Sequence, residues 1–568
     1  MVIQKGEIAM TQEIQHERIL LGRHFLTRRQ FMHLTAVGFS AAALAACAPA
    51  VAPTGGAAEA PAAAESAAAT DVTGGTLVWV GHQEVSGLSP SDAGPTVHWA
   101  MISNIHNALL QVDTNNELIP VLAESYEVAP DGLQFTFTLK QGVKFHDGKE
   151  FTAADVKYTY EFYSKAENGS TLANNFLGMG EIETPDDYTV VVNMNEVNAD
   201  FLVNAATTWI VQSEYHAEVG EEVYRTAPIG TGAFKLVEWV PAEYTLLEAF
   251  PDHFQGRPRV DFLRQNIVPE PSVRTIALET GEADSATWPL LVEDSLRLRD
   301  EGFTVFATLA GSVKHFPLNT QLPQLSDKLV RQALLMAIDR QRIIDELWNG
   351  AAEIAHSNLS PANAFYHKAD VKQYAYDPEA AKAQLEAAGW VAGADGVREK
   401  EGVRLSFTCT TITGDQARRP IAELVQQFLG EVGVEMLLEE APVASILEAL
   451  PKGEMDASIF NWTYGSQLSP DASTTLRSDG ANNFSRLNNA RVDELLDLGR
   501  QEIDPEKRRA YYYEIQDIVA DEVPFLYLQW DQWLNVHHPR VNGLPETATT
   551  LRGDMLYPFG NVMGVQQG

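Results

Sequence analysis

Only two cysteines occur in 568 residues, and the first, Cys47, ends an apolar run that stands before a stretch unable to fold. The run Leu34–Ala46 has 13 residues and no charge. As a helix it would be about 20 Å long, against roughly 30 Å for the hydrocarbon core of a bilayer. It is too short for a permanent span. Charged residues before it and small residues at its end give the pattern of a removable export signal, so residues 1–46 are set apart from the fold. Residues 48–73, APAVAPTGGAAEAPAAAESAAATDVT, contain no aromatic residue, and such a composition buries too little apolar surface to fold. Residues 47–73 are therefore expected to be a linker. If Cys47 is spent at the terminus, Cys409 has no partner, and the folded part must be held by burial without a disulfide framework.

Two short motifs sharpen this reading. Thr27-Arg28-Arg29-Gln30-Phe31-Met32 resembles a twin-arginine export motif. Leu44-Ala45-Ala46-Cys47 resembles the lipobox of bacterial lipoproteins, whose cysteine is lipidated and becomes the mature N-terminus. The resemblance implies an exported protein anchored through Cys47 to the outer face of the cytoplasmic membrane, in the periplasm or at the cell surface.

The remaining 522 residues are enough for two to four domains. A formal charge of −36 argues against nucleic acid or an anionic lipid surface as partner, since both select basic faces. Catalytic signatures are missing: the sequence has no Gly-x-Ser-x-Gly, His-Glu-x-x-His, Cys-x-x-Cys or phosphate loop. Gly230-Thr231-Gly232-Ala233-Phe234-Lys235 begins like a dinucleotide loop, but it lacks the third glycine and runs into an apparent strand. His537-His538 has no carboxylate or cysteine at ligand spacing and reads as a surface or loop pair. Neither a cofactor, a metal nor catalysis is expected.

The pattern along the chain is mixed α and β. Phe135, Phe137 and Leu139 alternate with Gln134, Thr136 and Thr138, the period of a half-buried strand, and the residues up to the turn at Asp147-Gly148 are expected to supply its partner. Thr152 and Asp155 form a capping box before a helix whose apolar face carries Val156, Tyr160 and Tyr163. Ser326 is expected to cap a second helix with Leu329, Val330, Ala333, Leu334, Ala337 and Ile338 inward. Asp377-Pro378 opens a third, bounded by Gly389.

Five ordered blocks then resemble family 5 of the bacterial extracellular solute-binding proteins, the receptors of peptide, dipeptide and nickel ABC importers. They are Leu122–Glu161, the Gly-Thr-Gly segment with its following strands, Asp327–Ile344, Tyr376–Trp390 and Arg508–Trp530, within a resemblance running over about 75–565. It implies an α/β, two-lobed periplasmic-binding-protein-like fold with mixed sheets and an extra subdomain inserted in the N-terminal lobe. Lobe I is expected over 74–308 with the subdomain at about 110–215, lobe II over 309–536, and a return to lobe I over 537–568. The implied partners are a small solute and an ABC permease, and the implied state is a monomer.

The same resemblance points to a ligand segment around Asn461, Trp462, Tyr464 and Gly465. In peptide-binding members an aspartate three residues after the tryptophan pairs with the peptide's amino group. Gly465 stands in that place here, and Asp471 lies six residues further on. An amine shut into a cleft without a counter-charge is costly. An oligopeptide is the first expectation, an oligosaccharide the alternative, and an exported hydrolase a more distant one. Gln83 and Glu84 after the first strand, Asn319 where lobe II begins, and Trp209 are further candidates, with Trp79 and Trp288 also near segments that line the cleft in relatives. Each also has a plain reading, as solvated loop, turn cap or core.

Overall fold

The computed structural model describes residues 74–92, 96–112, 117–286, 290–415, 417–463, 469–543 and 566–567. The signal, Cys47, the linker, Trp288, Tyr464 and Gly465 lie outside them. Nine described strands make the principal sheet, in the order Phe460–Thr463, Thr304–Pro317, Phe525–His537, Ser285–Ala286, Thr76–Gly81, Phe262–Ile267, Tyr244–Ala249 and Phe234–Val240, with Ala352–Ile354 also paired to Phe525–His537. Thr76–Gly81 runs parallel to both of its neighbours and the other pairings are antiparallel, so the sheet is mixed. Its apolar run suits an interior parallel strand. Leu77 and Trp79 are fully buried in the lobe I core with Phe234, Leu247 and Leu263; Trp79 is core rather than cleft surface.

The Gly-Thr-Gly segment has a steric reason. A Cβ on Gly230 or Gly232 would overlap the backbone carbonyls at the end of the helix Thr96–Ile105, and the Gly232 amide donates to Ile105 O at 2.8 Å. The glycines let two backbones touch. As expected, Phe234–Val240 follows as a strand.

The inserted subdomain is a four-stranded antiparallel sheet ordered Ala123–Val128, Gln134–Leu139, Thr189–Met194 and Met179–Asp186. Phe135, Phe137 and Leu139 face its core, which runs from Leu109 to Tyr224 in sequence. The expected hairpin partner is different: residues 143–150 make a turn with only a Lys144–Glu150 bridge, and the flanking strands come from 123–128 and 189–194. The capping box at Thr152 and Asp155 forms, with the Thr152 amide donating to Asp155 Oδ2 at 2.9 Å. Val156, Tyr160 and Tyr163 are fully buried.

Two strands, Thr304–Pro317 and Phe525–His537, run from the cluster that holds Val305 and Val536 to the core that holds Phe316 and Leu526. Their ladder shifts register between Leu309 and Val313, opposite Gln532 and Trp530, and such a break bends a strand pair locally. Beyond it the lobe II core gathers Phe316, Leu318, Val330, Leu334, Leu405, Phe407, Val425 and Leu526. There Ser406–Ile412 pairs in parallel with Glu435–Ala441 and Ala457–Ser458, and the helix Arg419–Glu431 makes the crossover. In the helix Lys328–Ala337 the cap is Asp327, whose side chain accepts from the Leu329 amide, while Ser326 Oγ turns back to Pro323 O. Leu329, expected inward, is 42% exposed. Arg331 of this helix is buried and donates to Leu325 O, Ser326 O, Glu522 O and Val523 O, tying the helix to the start of the second crossing strand. The helix Pro378–Ala387 forms as expected under an Asp377 cap.

Candidate functional site

Just past the register shift, Phe460–Thr463 pairs with Ser312–His315, setting Trp462 opposite Val313 and Asn461 opposite Lys314. This strand is the edge of the principal sheet, and edge strands carry backbone groups that a further strand can use. Alternation places Trp462 and Asn461 on opposite faces. The half-buried Trp462 ring lies edge-on to Phe484, with centroids 6.1 Å apart. On the other face Asn461 Nδ2 reaches Ser312 Oγ at 3.4 Å, and its Oδ1 accepts from Arg418. Arg418 also pairs with Asp415, while its Nε is buried with no partner among the described residues. The edge strand thus offers an indole on one face and an amide held by a guanidinium on the other, groups suited to a polar, partly aromatic guest.

A buried ion pair underlies this face. Lys314 Nζ meets Asp531 Oδ2 at 2.6 Å with side chains 7% and 3% exposed. Gln529 Nε2 donates to Asp531 Oδ1 at 3.0 Å, and the Trp348 ring lies 4.7 Å from the ammonium. Burial lowers the ammonium's pKa, and Asp531 opposes that shift. Next along the strand, burial pushes His315 down to about 4, so its ring is neutral at pH 7.

Other candidates are placed elsewhere. Asn319 is buried, its amide donating to Gly453 O and Met455 O and its oxygen accepting from the Gln321 amide; it serves a turn of lobe II. Trp209 is buried edge-on against Trp99 at 4.8 Å, in a joint with Ile102 and Ala108. Gln83 is exposed and Glu84 half-buried, in the loop after the first strand on lobe I, where ligands meet parallel strands in open α/β sheets. Asp471 stands one residue before the N-cap Ala472 of the short helix Ser473–Leu476 and closes a local turn, its Oδ1 accepting from the Ser473 amide at 3.0 Å and from its hydroxyl. Burial raises its pKa, and the Asp200 charge adds to that rise. His537, expected in a loop, is a fully buried strand residue bonded to Ser285 Oγ at 2.8 Å, and burial lowers it to about 3.

Sequence reasoning missed Ser312, Lys314, Arg418 and Asp531. Their separations in sequence exceed 100 residues in most pairings; strand register brings Ser312, Lys314 and Asp531 together, and the start of the helix Arg419–Glu431 brings Arg418 to them. The nearest local signal was the Asp415/Arg418 spacing at a helix start.

Two lobes joined by paired strands, with an edge strand and a polar cluster between the lobe cores, are the architecture of a binding protein. Comparison with known proteins gives its family. The model of the bacterial extracellular solute-binding proteins, family 5, matches residues 117–484. Oligopeptide-binding protein AppA of Bacillus subtilis is 29% identical over 444 residues, 75% of this chain and 80% of that protein. Its structure in complex with a nonapeptide superposes with a TM-score of 0.76 at 26% identity, covering 88% of this chain and 99% of AppA. Protein XP55 of Streptomyces lividans is 30% identical over 449 residues, 76% of this chain and 81% of its own. NikZ of Campylobacter jejuni, in complex with Ni(L-His), gives a TM-score of 0.77 at 25% identity, over 87% and 99% of the two chains. The chain belongs to family 5 of the bacterial extracellular solute-binding proteins.

Proposed function

We propose that this protein is the receptor of an ABC importer, that its solute is an oligopeptide, and that it delivers that solute unchanged to a membrane permease. The observation that carries the reading is the edge strand Phe460–Thr463 at the lobe crossing. An extended peptide adds to such an edge through main-chain hydrogen bonds while side pockets choose among side chains. Trp462 offers one such contact and the Arg418–Asn461 pair a second. The likeness to AppA, whose structure holds a nonapeptide, supports the same solute class. A guest touching both lobes gains its full interaction energy only in the closed form, so it raises the population of that form, which a permease then reads as occupancy. Gln83 and Glu84 are proposed as the lobe I side of the contact, and Tyr464 and Gly465 as the continuation of the lobe II side.

Gly465 favours a second reading, an uncharged solute such as an oligosaccharide, because no carboxylate stands three residues after Trp462 to meet an amine. Mild denaturation of the purified protein followed by mass spectrometry of what is released decides between them. Peptides support the first reading; saccharides overturn it and support the second. We further propose that Cys47 is lipidated after export. A Cys47→Ser variant is then expected in the soluble fraction, and its retention on membranes would remove the anchor.

A further inference from the structure

Among the described residues, the inserted subdomain meets lobe II at the turn between the helices Ala490–Gln501 and Pro505–Glu522. Three contacts meet there. The Ala199 amide donates to Arg500 O at 2.9 Å. Gly132, whose positive φ and missing side chain allow close approach, packs against Ile503, and a Cβ on it would sit 2.9 Å from the isoleucine methyl. Arg508 Nη2 meets Asp200 Oδ2 at 2.7 Å, with side chains 5% and 11% exposed.

The two partners are held differently. Arg508 is fixed from within lobe II: its Nε donates to Gly499 O at 2.8 Å, and Tyr366 and Tyr512 lie 5.7 Å from the guanidinium. Asp200 stands at the N-cap of the helix Phe201–Ala205, yet its side chain makes no cap bond and reaches across to the other lobe instead. Its second oxygen is buried without a partner among the described residues. A free N-cap aspartate ordinarily bonds its own helix, so the carboxylate gives up a local partner for a distant one. When the lobes part, both charges meet water; when they meet, each needs the other, because a lone buried charge is expensive.

We propose that Asp200 and Arg508, with the Ala199–Arg500 bond, form a latch between the lobes that holds the closed form independently of the solute. It rests on the reading that the lobes open and close, but not on which solute binds. The latch sets how often the empty receptor visits the closed form. Removing either charge leaves the other buried and unpaired only in the closed state, and so favours opening.

The test is hydrogen exchange at the Ala199 amide together with small-angle scattering, both on the ligand-free full chain. Arg508→Met and Asp200→Asn are each expected to speed Ala199 exchange at least tenfold and to enlarge the radius of gyration, and the double variant is expected to add little to either. Faster exchange confined to residues 197–200 and 500–508, with unchanged protection in the core segment around Val519, supports the latch. Unchanged exchange at Ala199 in both single variants overturns it. Loss of protection throughout the helix Pro505–Glu522 also overturns it, because the pair would then be part of lobe II's fold rather than a contact between lobes.

Discussion

Two buried ion pairs of nearly equal length differ in what they join. Lys314 and Asp531 meet at 2.6 Å across two adjacent strands of one sheet. Arg508 and Asp200 meet at 2.7 Å across two lobes. Strand pairing keeps the first pair together in every arrangement of the lobes, so its desolvation is a property of the fold. The second pair can separate and rehydrate, so its desolvation is a property of one conformation. The same chemistry thus specifies a structure in one place and chooses a state in the other.

The largest expected effect separates the two directly. Lys314→Met leaves Asp531 buried and unpaired, and should cost about 3–5 kcal/mol in denaturant unfolding; Arg508→Met should cost much less, because Asp200 escapes into water by opening. Equal losses would erase the distinction. Acid loads the same crossing strands from both ends without removing either pair. Burial holds His537 at about 3 and His315 at about 4, against 6.5 unfolded. The unfolded chain therefore takes up protons first, and stability present above pH 6.5 is lost as pH falls toward these values. At pH 5 each such histidine accounts for on the order of 2 kcal/mol by linkage, so His537→Asn should narrow the difference between unfolding at pH 7.5 and pH 5 by that amount. A Trp462→Ala variant is expected to weaken solute binding at least tenfold, about 1.4 kcal/mol or more, while still unfolding cooperatively; titration calorimetry with the released solute reads it, and unchanged affinity would take Trp462 out of the site. The smallest effect falls on an exposed pair. Lys328 and Asp521 join two helices of lobe II with both side chains about 40% exposed, and Lys328→Met should cost about 0–1 kcal/mol, which would confirm that burial sets the scale of the other two.

Local patterns carried most of the element assignments. The alternation at Gln134–Leu139, the capping box at Thr152 and the proline at 378 are each decided within a few residues, and each forms. Partners were harder: nothing in Gln134–Leu139 says that it pairs with 123–128 and 189–194 rather than with the next segment, because register is a tertiary property. Ser326 and Asp327 are both good caps, and the choice fell to Asp327 one residue later. The candidate site was legible only in part. Trp462 and Asn461 came from a family likeness, whereas Lys314 joins them through strand pairing and Arg418 from a helix start far away in sequence. Trp209 and Asn319 show why residue type alone does not assign a role, since residues suited to ligand contact are equally suited to the aromatic joint and backbone clamp in which these two sit.

The strand Phe525–His537 lies in the middle of the principal sheet, yet it is among the last described segments in sequence. It contributes Leu526 and Leu528 to the lobe II core and Val536 to a lobe I cluster. During synthesis both lobes therefore wait, each with an open seam, until residue 537 has emerged. Long-range pairing of this kind slows folding and leaves unpaired strand edges exposed meanwhile. A truncation before Phe525 would then leave neither lobe able to fold, rather than one whole lobe and one broken one.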